Sequence, residues 1–294
     1  MATNFTGQIE EGGEFPPEAN RYHLYVSLGC PFAHRVTMVR ALKGLEDVIG
    51  LSIANCTLGK DGWSFATDAE CPGAIPDSVN NFKFLREMYS LSDPNFAGRI
   101  TVPVLFDTVK NRIVNNESGD IIKILNSSFN KFCKNPSLNL YPANLEMRID
   151  QLNDMINTGI NSGVYVAGYA TTQDSYRAGV RLVHQTLSEL DYILRKTPGG
   201  FLLGETLTES DVRLFPTLIR FDPIYVNVFK CNLSRVQDFP HLSAWLKRVF
   251  EVEGIRDTVN MRHIKNFYFL SDRASSWNPN RIVPLYNGPL LPSD

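Results

Sequence analysis

The sequence predicts an N-terminal α/β domain followed by an all-α C-terminal domain, and three observations carry that prediction. Residues 21–130 alternate runs of β-formers with helix-periodic runs. Residues 131–144 hold two prolines and several asparagines and read as a linker. Beyond them, over 145–270, every periodic segment has helical spacing. With 294 residues, 43% of them apolar, the chain can bury two domain-sized cores.

The elements follow in order. Residues 1–20, with Gly12-Gly13 and Pro16-Pro17, form an extended lead-in. Tyr22-His23-Leu24-Tyr25-Val26-Ser27 is a strand, and Phe32, Val36 and Val39 then recur at helical spacing with Pro31 suited to the first turn. A second strand over 48–53 completes a βαβ unit with Cys30 at its first turn. Residues 55–98 are rich in Gly, Asp, Asn and Pro, with one short helix around 82–90; an irregular insertion of that length tends to be functional. A β-rich run over 100–107, interrupted by Pro103, and a short strand over 112–114 read as a hairpin. Glu117 and Ser118 stand at the start of the next helix, which carries Ile121, Ile122, Ile124 and Leu125. Helices are expected around 146–158, 172–194, 210–219, 242–250 and 259–267, with Thr208 and Asp211 as a capping pair that serves folding. The Pro-rich tail, 271–294, reads as an extended strap.

Charge and cysteine usage exclude several classes. A net charge of −2 gives no basic field for nucleic acid. No run approaches the ~18 apolar residues of a membrane span, and the first residues lack the basic start and apolar stretch of a secretory signal. The five cysteines are scattered and odd in number, which fits a reducing compartment, and a cytoplasmic location is the default. Neither they nor the five dispersed histidines have metal-ligand spacing, so no metal is expected.

The chemistry concentrates at Gly29-Cys30-Pro31-Phe32-Ala33-His34-Arg35. A lone cysteine among apolar residues is usually an inert buried thiol. This one directly precedes a helix, where unpaired N–H groups and the positive end of the dipole favour the thiolate. Cys-Pro at a strand-to-helix junction resembles the site of thioredoxin-like redox folds. Ala33 stands where the second cysteine of a C-x-x-C would be, so a mixed disulfide at Cys30 needs an external thiol such as glutathione to resolve it. In thioredoxin-like folds a cis-proline opposite the cysteine leaves backbone groups free for a peptide-like ligand, and Val102-Pro103 fits that role.

Together these elements resemble the glutathione transferase architecture, a thioredoxin-like N-terminal domain with a helical C-terminal domain. Tyr25 to Arg35, Ala41 to Leu45, Gly62-Trp63-Ser64-Phe65, Thr101 to Leu105, Val114 to Ser118, Gly204 to Asp211, Arg220 to Tyr225 and His263-Ile264-Lys265 resemble the xi class, the glutathionyl-hydroquinone reductases. The resemblance implies glutathione as co-substrate, Cys30 as nucleophile and a homodimer. It implies that Glu117 takes the γ-glutamyl ammonium, Ser118 the adjacent carboxylate and Val102 with Pro103 the cysteinyl backbone, and that Trp63 and Arg99 also touch glutathione. Glu117-Ser118 alone is a common helix-start pattern, and Arg99 alone would be a solvated charge. Tyr165, Tyr225 and Tyr268 match positions that line the electrophile pocket, although a tyrosine is more often a half-buried packing residue. Phe32 stands where the class usually has tryptophan, and Gly29 where it usually has alanine. Phe32 keeps an aromatic face beside the thiol for substrate and lacks the indole N–H.

The expected reaction removes glutathione from a glutathionyl-hydroquinone through a Cys30–glutathione mixed disulfide. The alternatives are an omega-like thioltransferase or dehydroascorbate reductase using the same cysteine, and a non-catalytic binding scaffold on the same fold.

Overall fold

The structure, a computed structural model, describes residues 5–293. The chain divides into two compact units, one running to Asn139 and including Asp257–Val283, the other comprising Leu140–Arg256 and the residues from Pro284. The first unit holds β1 (Tyr22–Val26), α1 (Pro31–Leu42), β2 (Gly50–Ile53), α2 (Leu85–Ser92), β3 (Val104–Asp107), β4 (Arg112–Asn115) and α3 (Ser118–Ser127). The second holds α4 (Glu146–Ile156), α5 (Gly163–Gly168), α6 (Gln173–Lys196), α7 (Glu209–Arg220), α8 (Val226–Val228) and α9 (Pro240–Phe250). The last helix, α10 (Met261–Phe269), returns to the first unit. It was expected to extend the all-α domain, but helical periodicity shows which face is apolar and not what it meets.

The sheet has the order β2-β1-β3-β4. β1 runs parallel to β2 and antiparallel to β3, and β4 is antiparallel to β3. Every residue of β1 and β3 is buried, as strands covered on both faces must be. α1 packs on α3 and β1, and α2 on β4. β3 starts at Val104 and not at residue 100, because Pro103 has no N–H for the ladder; the Val102–Pro103 peptide is cis. Arg21 closes the sheet's end with a bidentate pair to Asp107, Nη2 to Oδ2 at 2.6 Å. Of the lead-in, Gly7 N–H bonds Val114 O at 2.9 Å, and Ile9 and Phe15 are buried.

The insertion over 55–98 is organised by carboxylates. Asp77 accepts from the Tyr25 hydroxyl at 2.8 Å and from the N–H groups of Val79, Asn80 and Phe82. Glu87 accepts from the N–H groups of Lys83 and Phe84, so α2 begins three residues later than expected. The far end of the chain pins the same insertion: Leu58 N–H donates to Ser271 Oγ at 2.8 Å and Lys60 N–H to Asp272 Oδ2 at 2.7 Å.

Beneath that insertion His23 is buried, its Nε2 2.9 Å from Ser52 Oγ, whose hydroxyl donates to Pro76 O. Burial pushes the imidazole from 6.5 down to about 4. Above pH 6.5 both folded and unfolded chains hold it neutral. As pH falls from 6.5 towards 4 the unfolded chain takes up a proton that the folded one refuses, costing up to about 3 kcal/mol. Urea unfolding across that window will show wild type losing more stability than His23→Gln; parallel curves would contradict the assignment.

In the second unit α6 packs on α5 and α9, and α7 on α4 and α9. Thr208 and Asp211 form the expected capping box of α7. Two π-helical turns, Asn157–Asn161 and Phe221–Tyr225, extend α4 and α7 beyond their expected ends. No helix among the described residues is long and apolar enough to cross a membrane.

Candidate active site

Cys30 is the N-cap of α1 and Pro31 its first residue. Cys30 N–H bonds Ser27 O at 3.1 Å and His34 N–H bonds Cys30 O at 3.0 Å, which fixes the loop between β1 and α1. The sulfur lies 3.9 Å from Val102 O, and the residue is 9% exposed, so the thiol is shielded yet reachable. At an N-cap the helix's first N–H groups favour an anion. The backbone facing it is the segment that enters the cis Val102–Pro103 bond.

A second helix start lies beside this one. Glu117 is the N-cap of α3, with Oε1 accepting from Gly119 N–H at 3.4 Å, and is exposed; Ser118 is buried. Arg35 Nη1 donates to Ser118 Oγ at 3.3 Å while its guanidinium lies 4.7 Å from the centre of the Phe32 ring. Phe32, Arg35, Ser118 and Glu117 thus form one line joining the two helix starts. Arg35 was not among the predicted site residues, although its i+3 spacing from Phe32 put both on one helix face. Arg99 is exposed, four residues before Pro103, and joins none of these hydrogen bonds.

Trp63 is buried and stacked on Phe267 of α10, with ring centres 5.4 Å apart and planes 11° from parallel. The Arg273 guanidinium lies 4.4 Å from the centre of the same Phe267 ring. Phe267 also presses on the thiol loop. A Cβ added to Gly29 would overlap Phe267 Cβ, lie 2.7 Å from its Cγ and stand 3.2 Å from His263 O. Glycine at 29, where the xi class usually has alanine, is therefore what this close approach of α10 requires. Gly29→Ala will cost about 1–3 kcal/mol by overpacking, read as a lower urea midpoint; an unchanged midpoint would show that α10 yields.

The three predicted tyrosines separate. Tyr165 and Tyr225 meet in the second unit, with ring centres 6.1 Å apart. Phe229 stacks on Tyr225 at 5.4 Å and touches Tyr165 at 5.2 Å, and Tyr169 extends the cluster to the surface. Phe229, four residues after Tyr225, was not predicted; its i+4 spacing was the available signal. Tyr268 belongs to the first unit, buried and edge-on to Phe267 at 5.0 Å.

Two of the other thiols are held neutral. Burial pushes Cys231 up to about 12 and Cys71 up to about 11, so both are neutral near pH 7. Among the described residues no three His, Cys, Asp or Glu side chains gather as a metal site.

Residues 29–128 match the family model of the glutathione S-transferase N-terminal domain, and residues 173–248 that of the C-terminal domain. The chain is 44% identical to glutathione S-transferase omega-like 2 of Schizosaccharomyces pombe, over 94% of this chain and 88% of that protein. It is 42% identical to the glutathionyl-hydroquinone reductase PcpF of Sphingobium chlorophenolicum, over 99% and 89%. The crystal structure of the glutathione S-transferase Xi from Phanerochaete chrysosporium matches at a TM-score of 0.93 and 42% identity, covering 100% of this chain and 99% of that one. The glutathione-bound structure of YqjG from Escherichia coli K-12 matches at 0.89 and 41%, covering 96% and 91%.

Proposed function

The chain belongs to the glutathione transferase family, xi class, and on that premise we propose that it is a glutathionyl-hydroquinone reductase. The observation that carries the reading is a lone cysteine at the start of α1, its sulfur 3.9 Å from Val102 O, with Ala33 in the resolving position. In this reading the Cys30 thiolate attacks the sulfur of the conjugate. The carbon–sulfur bond breaks, its electron pair stays with the ring carbon, and a proton completes the hydroquinone. A second glutathione thiolate attacks the resulting mixed disulfide at the glutathione sulfur, releasing oxidised glutathione and restoring the Cys30 thiolate.

Glutathione is held in this proposal by Glu117 at the ammonium, by Ser118 and the first N–H groups of α3 at the carboxylate, and by Val102 and Pro103 at the cysteinyl backbone. Trp63 covers the peptide and Arg99 pairs with the glycyl carboxylate. Phe32, Tyr165, Tyr225 and Tyr268 take the aromatic ring, with phenolic hydroxyls donating to the ring oxygens as charge develops. A homodimer, as the family resemblance implies, and a cytoplasmic location belong to the same proposal.

The test is to supply glutathione and a glutathionyl-hydroquinone and follow free hydroquinone, which is expected to appear with turnover. The relative named omega-like favours a second reading, thioltransfer or dehydroascorbate reduction with the same cysteine. Reduction of a simple glutathione mixed disulfide with no hydroquinone release would select it.

A further inference from the structure

Two cysteines outside the thiol site share a small buried cluster with Ala66 and Ala74: Cys56 at 8% exposure and Cys71 at 3%. Cys56 N–H donates to Cys71 Sγ at 3.3 Å, which brings the two residues side by side. α10 closes the cluster: Asn266 Nδ2 donates to Cys56 Sγ at 3.4 Å, and His263 Nε2, bonded to Pro72 O at 2.9 Å, lies 3.7 Å from Cys71 Sγ. Both cysteines are in the free form. The fourteen residues that separate them include Trp63, stacked on Phe267. Two adjoining thiols at the neck of a loop, held there by neighbours on a different element, are placed to become a cystine.

We propose that Cys56 and Cys71 are a redox pair that closes to a disulfide in the presence of oxidised glutathione and so staples the loop carrying Trp63. The proposal takes from the reductase reading only the importance of Trp63 and the source of the oxidant, which is the product of that reaction. Exchange begins at Cys56, the more exposed of the two. Its sulfur, losing a proton, attacks one sulfur of oxidised glutathione; the glutathione disulfide bond breaks and one glutathione leaves. Cys71, losing its proton, attacks the Cys56 sulfur of the mixed disulfide and expels the second glutathione. Two cysteine thiols are oxidised, one glutathione disulfide is reduced, and the two protons end on the departing glutathione sulfurs. Burial holds Cys71 as the neutral thiol, so the exchange is slow, on the hours scale of uncatalysed thiol–disulfide chemistry.

The test uses the full chain, incubated with oxidised glutathione, alkylated under denaturing conditions and digested with trypsin without reduction. Lys60 lies between the two cysteines and is exposed, so trypsin separates their peptides. The expected result is a disulfide-linked pair of peptides, 44–60 with 61–83, that splits on reduction and is absent from Cys56→Ala and Cys71→Ala. In the oxidised folded protein, release of the loop by limited cleavage after Lys60 will fall several-fold. Recovery of both peptides only as alkylated thiols, or only as separate glutathione adducts, overturns the proposal and assigns the pair to packing. The readout is a covalent link, so its failure leaves hydroquinone release untouched. Failure of hydroquinone release leaves the link testable.

Discussion

Cys30→Ser will lose hydroquinone release by at least about a thousandfold, the scale on which removing a covalent nucleophile acts, while retaining its far-ultraviolet circular dichroism and its affinity for glutathione. Serine keeps the size of the side chain and its place as N-cap of α1, so the helix start, the loop bonds through Ser27 and His34, and the packing of Gly29 on Phe267 persist. What disappears is an atom able to accept a glutathione sulfur and give it back. An alcohol forms no mixed disulfide, so both halves of the reaction fail together, and added glutathione cannot rescue a step whose intermediate never forms. Turnover within tenfold of wild type would exclude the covalent route, and glutathione itself would then have to attack the conjugate. A variant that bound no glutathione would show instead that the substitution had disturbed the mould.

The largest effect on stability is expected in the second unit. Asp211→Ala will cost about 3–5 kcal/mol, because it leaves buried donors without an acceptor. The Asp211 carboxylate is wholly buried and accepts from Leu202 N–H at 3.0 Å, Thr208 N–H at 2.9 Å, Thr208 Oγ1 at 2.9 Å and Trp245 Nε1 at 2.8 Å. It thereby joins the start of α7, the turn before it and the fully buried indole of α9. Asp211→Asn retains one acceptor oxygen and will cost less. Urea unfolding followed by tryptophan fluorescence measures both; a loss below about 1 kcal/mol for the alanine variant would mean that the donors find other partners.

The same residue marks the limit of what the sequence could say. Thr208-Glu209-Ser210-Asp211 reads as a cap from local spacing alone, and it is one. That Trp245, thirty-four residues on, shares the same carboxylate has no local signature. Cys30 and Pro31 were legible because a strand, a proline and a helix period meet there, and Pro103 because proline interrupts a β-rich run. Glu117 and Ser118 were legible only as a helix start; the line from Phe32 through Arg35 to Ser118 depends on α1 and α3 packing together. The π-helical turn that ends at Tyr225 adds one residue to a turn without changing composition, so the side chain's direction could not be read from a 3.6-residue period. The reason for glycine at 29 is Phe267, which packs against it from far along the chain and leaves no local signature.

The return of α10 to the first unit also bears on how the protein is made. Asn139 ends the first stretch of that unit, and Asp257–Val283 completes it only after Leu140–Arg256 of the second unit has been translated. At ~5–20 residues per second the ribosome needs roughly 7–30 s to cover that distance. For that time the nascent thiol loop lacks Phe267 beneath Gly29, and Trp63 lacks the ring it stacks on. The half-built unit presents its uncovered apolar surface, with Cys30, to whatever chaperones and oxidants surround it. A gene shortened before residue 257 would leave Cys30, Trp63 and Pro103 in place and still yield a protein in which neither Gly29 nor Trp63 has Phe267 to pack against.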